Sequence, residues 1–213
     1  MTPNEVIREV RRLISDNRAP YRYSDSILLG MVNQALKRMA VVRPDLFSYA
    51  GEITTTASST IQTLPTDAIR LVEIFMVKDG NAVTEADRRT LDRMYPSWPS
   101  VAAGDPVNFM RHPRNPNKYF LYPKPASGVI LIGEYIQTPQ DYEIDAEIGI
   151  PEGYFTPLVD CTVFLSQSVD DEHVNSGRAK LFYDTFMSAL STALNARNMV
   201  DSDRGLVKRD DGL

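Results

Sequence analysis

The chain has 213 residues, of which 43% are hydrophobic and 24% charged. That balance excludes wholesale disorder and fibrous repeats and leaves room for one domain with an insertion or two small ones. A net charge of -5 argues against a protein that coats nucleic acid, since Lys and Arg carry phosphate binding.

The single cysteine, Cys161, has no internal partner and suits synthesis in a reducing cytoplasm. The most apolar runs, 27–32 and 129–132, fall far short of the roughly 18 to 20 residues of a membrane span. The opening Met1-Thr2-Pro3-Asn4-Glu5 has no basic region followed by an apolar signal core. A soluble product with no membrane partner is the expectation.

Thr2 is placed to cap a helix, Pro3 to occupy its first position and Glu5 to close a capping box. Val6, Val10, Leu13 and Ile14 recur at helical spacing, with Arg8, Arg11 and Arg12 on other positions, so this helix is expected to run to about Asn17. After the turn Asn17-Arg18-Ala19-Pro20, Ser24 caps a second helix on Leu28, Met31, Val32, Ala35, Met39 and Val42, stopped by Pro44. The short connection predicts an antiparallel hairpin.

From Gly51 the texture turns to β-branched runs at 52–56, 60–64 and 69–78, broken by Ser58-Ser59 and Pro65-Thr66-Asp67. Asp79-Gly80-Asn81 reads as a turn and 85–94 as a short surface helix. The stretch 95–106, with three prolines and the only tryptophan, Trp98, reads as an ordered loop. Strands are expected at 107–112, 118–122 and 129–137, arranged as a meander.

Pro151 opens a helix with Phe155, Leu158, Val159, Thr162 and Leu165 on one face, followed by a longer helix over 173–198. The latter carries two apolar stripes, one of Tyr183, Met187, Leu190 and Leu194, the other of Ala179, Phe182, Phe186, Ala189, Ala193 and Ala196. One stripe suits its own core and the other a neighbour. The fold class is therefore α+β: an antiparallel helical bundle, from the N-terminal hairpin and two C-terminal helices, with an inserted β-rich domain and an extended C-terminal tail. The expected divisions are 1–50 for the hairpin, 51–150 for the insertion, 151–200 for the C-terminal helices and 201–213 for the tail.

Catalytic templates find little to attach to. Only His112 and His173 could serve a serine or cysteine nucleophile, and neither sits in a motif; Cys161 reads as a small core residue. Asp170-Asp171-Glu172-His173 is the best metal candidate, but acidic residues just before a helix complement its dipole without any ion. No phosphate-cradling glycine loop or nucleophile elbow is present, and no cofactor is expected. Asp141, Glu143, Asp145, Glu147 and Glu152 offer an acid and base for a hydrolase, yet such runs are usually a solvated face.

The signs of charge are segregated: basic residues gather at Arg8, Arg11 and Arg12, at Arg88, Arg89 and Arg93, and at Arg111, Arg114 and Lys118, against the acidic run 141–147. In a cyclic oligomer one flank meets the other, so opposite charges can set register. Arg8, Arg11, Arg12, Arg88, Arg89, Asp141, Glu143, Asp145 and Glu147 are the candidate subunit-interface residues. Scattered surface charge accounts for the same pattern.

Several segments, in order, resemble the head-to-tail adaptor proteins of tailed bacteriophages. These are 27–36 through Arg43-Pro44-Asp45-Leu46-Phe47, Gly104-Asp105-Pro106 with Phe109, Tyr119-Phe120-Leu121-Tyr122-Pro123-Lys124-Pro125 with 130–139, and Ile150-Pro151-Glu152-Gly153-Tyr154. The resemblance spans nearly the whole chain. It implies a non-enzymatic virion protein at the head–tail junction, made in the host cytoplasm. It also implies a ring of about twelve copies below the portal protein, with genomic DNA passing through the lumen and a tail or nozzle protein, and tail fibres, as further partners.

Carried over, the portal contact falls on Asp203, Arg204, Leu206, Val207, Lys208 and Arg209, an apolar pair amid charge. Trp98, Tyr119 and Tyr122 are the aromatic candidates for meeting the tail, with core packing as the alternative reading. Two other function classes stay open: nucleic-acid binding through Arg8, Arg11, Arg12 and Arg38, and a carboxylate-based hydrolase.

Overall fold

The structure is a computed structural model that describes the backbone of residues 1–168 and 176–203 and the side chains of 1–168 and 177–193. It divides into two compact units, Met1–Leu46 with Pro139–Leu213, and Phe47–Thr138.

The first unit is helical. Helix α1, Pro3–Leu13, opens on the expected reciprocal box: Glu5 N donates to Thr2 Oγ1 at 3.3 Å and Thr2 N to Glu5 Oε2 at 2.7 Å. It ends earlier than its pattern suggests, because Ser15 takes a positive φ of 60° and turns the chain. Helix α2, Asp25–Val42, is capped by Ser24 and buries Leu28, Val32, Ala35, Leu36 and Met39.

Helix α3, Arg88–Met94, belongs to the other unit, and helix α4, Phe155–Ser166, contacts α1, α2 and the long α5, Ser176–Asp203. Its girth is buried at Leu158, Val159, Cys161, Thr162 and Val163. The two hydroxyls so enclosed are satisfied inside the helix, Thr162 Oγ1 donating to Leu158 O and Ser166 Oγ to Val163 O, each at 2.8 Å. Along α5 only Ala179, Phe186 and Leu190 are buried among the described side chains, while Leu181 is 61% exposed.

The acidic segment 139–150 belongs to this helical unit. Asn4 N donates to Ile144 O and Ile148 N to Met1 O, both at 2.9 Å. Asn33 grips it as a second backbone would, its Nδ2 donating to Tyr142 O at 3.1 Å and its Oδ1 accepting from Tyr142 N at 3.0 Å. Ile148 and Ile150 are buried.

The second unit is two sheets about one core. Strands β1, Ser48–Thr54, β3, Ala68–Val77, and β7, Ile130–Gln137, form a sheet in the order β1-β7-β3. Strands β2, Ile61–Thr63, β4, Thr84–Glu85, β5, Asn108–Arg111, and β6, Lys118–Tyr122, form another in the order β2-β6-β5-β4. Ile53, Leu71, Ile74, Leu131 and Tyr135 of the first meet Phe109, Tyr119 and Leu121 of the second in one cluster.

The meander expected from sequence is not what forms. β7 leaves the β5–β6 hairpin for the other sheet and pairs antiparallel with both β1 and β3. Its alternation of buried and half-buried residues suits a central strand. Gly133 allows the close approach there, since a Cβ at that position would lie 2.6 Å from Glu73 O. Helix α3, Arg88–Met94, is capped by Asp87, which accepts from Arg89 N and Thr90 N.

Candidate functional site

The charged surface of the helical unit is organised by α1. Arg8 is exposed, and Arg12 pairs with Glu9 through two bonds, Nε to Oε2 at 2.9 Å and Nη2 to Oε1 at 2.5 Å. The pair holds the Glu9 carboxyl below its ordinary range and raises the Arg12 guanidinium, in each case mainly through that hydrogen bond. A cleft of about 650 Å³ opens here, lined by Glu5, Arg8, Glu9, Arg12, Glu152 and Phe155.

The acidic strap meets the other end of the same helix. Asp145 Oδ1 accepts from Asn4 Nδ2 at 3.1 Å, and Asp141 pairs with Lys37 Nζ at 2.6 Å on α2; Glu143 and Glu147 are exposed. Asn4 and Arg8 are one turn apart, about 6 Å along the axis. Acidic and basic groups of this unit are therefore neighbours, and the acidic residues complement the N-terminus of α1.

Arg11 departs from its expected place at a subunit interface. It is 7% exposed, and its guanidinium is taken up internally by Asp16 Oδ2 at 2.7 Å, Asp25 Oδ1 at 2.6 Å and Tyr23 O at 2.8 Å, with the Tyr21 ring 4.0 Å away. A run of three arginines on a short helix carries no local mark of which one turns inward; the signal lay in Asp16 and Asp25, spaced to meet it across the loop.

Residues 1–209 match the family of the SU10 adaptor protein. The chain belongs to that family. It is a phage structural adaptor, a virion component that associates with other head and tail proteins. No curated protein matches the chain.

In this chain the remaining interface candidates, Arg88 and Arg89, lie on α3 of the β unit. Arg88 pairs with Asp92 at 3.0 Å and stands over the Phe120 ring at 5.7 Å, whereas Arg89 is exposed. Of the residues expected to meet the portal, Asp203 ends α5 with its side chain outside the described residues, and Arg204, Leu206, Val207, Lys208 and Arg209 lie outside them altogether. So does His173 with its acidic neighbours 170–172.

The aromatic candidates of the adaptor separate by burial. Tyr119 is fully enclosed in the core, its hydroxyl without a hydrogen-bond partner among the described residues and its ionisation pushed far up by burial, so it is a packing residue. Trp98 is 4% exposed and donates Nε1–H to Asp92 at 2.8 Å. Tyr122 is half-buried, and Tyr95, whose ring meets it at 6.3 Å, is an exposed aromatic beside it that sequence reading missed.

Groups that resembled chemistry are held by structure. His112 Nδ1 accepts from Asn115 N at 3.0 Å and Arg114 N at 3.3 Å, and its ring stacks on Phe120 at 5.6 Å, so it caps a turn. Burial pushes the Cys161 thiol up to about 12, which leaves it inert as a nucleophile. Among the described residues no group of three or more His, Cys, Asp or Glu is placed to hold a metal ion. No described helix is long and apolar enough to cross a membrane.

Proposed function

We propose that this adaptor assembles as the ring that joins the phage portal to the tail and lets the genome pass through its lumen. Membership of the SU10 adaptor family over residues 1–209 carries the reading. In it the hairpin α1–α2 and the helices α4 and α5 act as an antiparallel bundle in the ring wall, and the unit 47–138 faces the tail. The role is structural, with no catalytic step.

Two features of the helical unit support a ring wall. Helix α5 is buried on its α4 side, where the Tyr183 ring meets Phe164 at 4.9 Å, and exposes Leu181, Asp184 and Ser188 on the other, a second face free for a neighbouring copy. Arg8 and Arg12 on α1 and Glu143, Asp145 and Glu147 on the neighbouring strap supply both signs of charge for a heterologous contact, together with Arg88, Arg89 and Asp141. Arg11 drops out of that set because its side chain is buried and enclosed by Asp16 and Asp25. The segment Asp203, Arg204, Leu206, Val207, Lys208 and Arg209 docks on the portal.

The geometry gives less to the nucleic-acid reading. Arg11 is buried, Arg12 is paired with Glu9, and Arg38 lies 5.3 Å from the Phe164 ring centre, which leaves Arg8 as the one cation of the four that is exposed and makes no ion pair with a described residue.

Mixing the purified chain with its portal, beside a chain lacking 201–213, tests this by native mass spectrometry and electron microscopy. A ring on the portal that is lost with the tail is the expected result. Failure of the intact chain to associate under any assembly condition overturns the proposal.

A further inference from the structure

The sheet β1-β7-β3 has two edges of unlike construction. The β3 edge is closed. Its register against β7 shifts three times, between Ala68 and Arg70, Leu71 and Glu73, and Ile74 and Met76, and its polar groups are taken by other parts of the unit. Arg111 donates to Leu71 O at 2.7 Å and to Val72 O, Val83 N donates to Phe75 O at 2.9 Å, and Leu71 N donates to Pro116 O at 3.1 Å. Bulges and covering groups are how sheets protect an edge.

The β1 edge has neither device. Its pairing with β7 runs unbroken from Ser48 opposite Ile136 to Thr54 opposite Ile130. The direction of its polar groups follows from two bonds at the start of β7. Ile130 O accepts from Lys78 N at 2.8 Å, on the β3 side, and Val129 O accepts from Thr55 Oγ1 at 2.7 Å, on the β1 side.

Backbone groups alternate sides along a strand, so Leu131, Gly133 and Tyr135 bond to their partners Ile53, Gly51 and Tyr49. The N–H and C=O groups of Ser48, Ala50, Glu52 and Thr54 therefore point away from the sheet. All four residues are exposed, and none makes a backbone bond outside the ladder among the described residues.

That edge is also held in place. Gln62, buried at 1%, fixes the turn after β1 by accepting from Thr56 N at 2.6 Å and donating to Thr56 O at 3.0 Å and Ser59 O at 2.6 Å. The Tyr49 side chain lies along its own strand, its hydroxyl 2.5 Å and its ring 2.7 Å from where a Cβ on Gly51 would stand, and its ring meets Tyr135 at 5.3 Å. A pre-ordered row of donors and acceptors costs little further entropy when a strand adds to it.

We propose that β1 is a docking edge that accepts one extended segment of another protein, added as a further strand of this sheet. No strand among the described residues of a second copy supplies it. A cyclic contact needs two distinct complementary edges per copy; β3 is closed, and the outer strands of the other sheet, β2 and β4, have only three and two residues. Pairing β1 with another β1 would make a dimer and end assembly there.

The segment that fits is free of proline at its centre and alternates in character. Side chains on the face of Tyr49 and Ile53 are apolar, extending the cluster of Ile53, Leu131 and Tyr135. Those on the face of Glu52, whose carboxylate draws Lys78 Nζ to 2.7 Å, are polar or basic. That the donor is a component of the phage particle rests on the adaptor reading; the open edge does not.

The test uses the full chain and a soluble synthetic strand, four Thr-Val repeats flanked by lysines, with amide hydrogen exchange read residue by residue. The expected result is exchange slowed at least about tenfold at Ala50, Glu52 and Thr54, with Tyr49, Gly51 and Ile53 slow before peptide is added. A version of the peptide with prolines at alternate positions should do nothing. Ala50→Pro should abolish the response while leaving the unfolding midpoint within about 3 °C, since that N–H faces solvent, and Ala50→Thr should retain it.

No slowing up to the solubility limit of the peptide overturns the proposal, as does slowing produced by the chain alone through dimerisation. In purified particles, the same amides exchanging as fast as in the free chain also overturns it. Absence of the chain from the particles overturns the adaptor reading instead and leaves the peptide result standing.

Discussion

Arg11 Nη1 lies 2.7 Å from Asp16 Oδ2, with both side chains buried at the bend between α1 and α2. The carboxylate also accepts from Arg22 N at 2.7 Å and Tyr23 N at 3.2 Å, and the Tyr23 hydroxyl reaches Ser166 O at 2.8 Å. One charge pair thus ties the bend to the end of α4. Truncating one partner leaves the other charge buried, which costs about 3 to 5 kcal/mol. Asp16→Ala is expected to lose about that much in urea unfolding, and a loss below about 1 kcal/mol would show that water satisfies Arg11 instead.

Features set by neighbours in sequence were legible, and those set by distant pairing were not. Thr2 with Glu5, and Ser24, marked helix starts because a cap is a local bond, whereas Asp87, which caps α3 in the same way, was not singled out. Lys118–Tyr122 read as a strand from its own residues. The burial of β3 repeats near every third residue because bulges interrupt it, and no local pattern announces a bulge that β7 imposes. The inward turn of Arg11 and the strap over Asn4 and Asn33 are tertiary for the same reason. The open edge at β1 was invisible without knowing which strand lies beside it.

Two glycines should respond oppositely to alanine. A Cβ at Gly133 would stand 2.6 Å from Glu73 O, whereas one at Gly30, inside α2, meets nothing within 4 Å. Gly133→Ala must push backbone apart at the centre of the sheet and is expected to cost about 1 to 3 kcal/mol. Gly30→Ala should stabilise the free chain by up to about 1 kcal/mol through helix propensity. Thermal unfolding of the two variants checks both signs; a destabilised Gly30→Ala would mean the open space is occupied.

Asp160 on α4 has its ionisation raised, first by burial and against a hydrogen bond from Thr185 that lowers it. A carboxyl with a folded value above its unfolded value disfavours folding once charged. The penalty is present above the folded value and fades as pH falls toward the ordinary 3.8. Asp160→Asn should therefore be more stable than the parent at pH 7, with the difference closing in acid. Unfolding curves from pH 3 to pH 7 read it directly, and a constant difference would show that burial of Asp160 is not the cause.

Asn33 provides a sharper test of how the acidic strap is held, because its amide both donates to Tyr142 O and accepts from Tyr142 N. Asn33→Ala removes both bonds and should cost about 1 to 2 kcal/mol, with faster amide exchange at Tyr142. Asn33→Asp keeps the acceptor but loses the donor, and adds a carboxylate to a segment that already carries Asp141 and Glu143. At pH 7 it should be at least as damaging as alanine. Protonated, the carboxyl can donate to Tyr142 O and accept from Tyr142 N as the amide does, so stability relative to the parent should recover as pH falls through the carboxylate range. An Asn33→Asp variant whose deficit is the same at pH 4 and pH 7 would show that the Asn33 bonds to Tyr142 do not hold the strap.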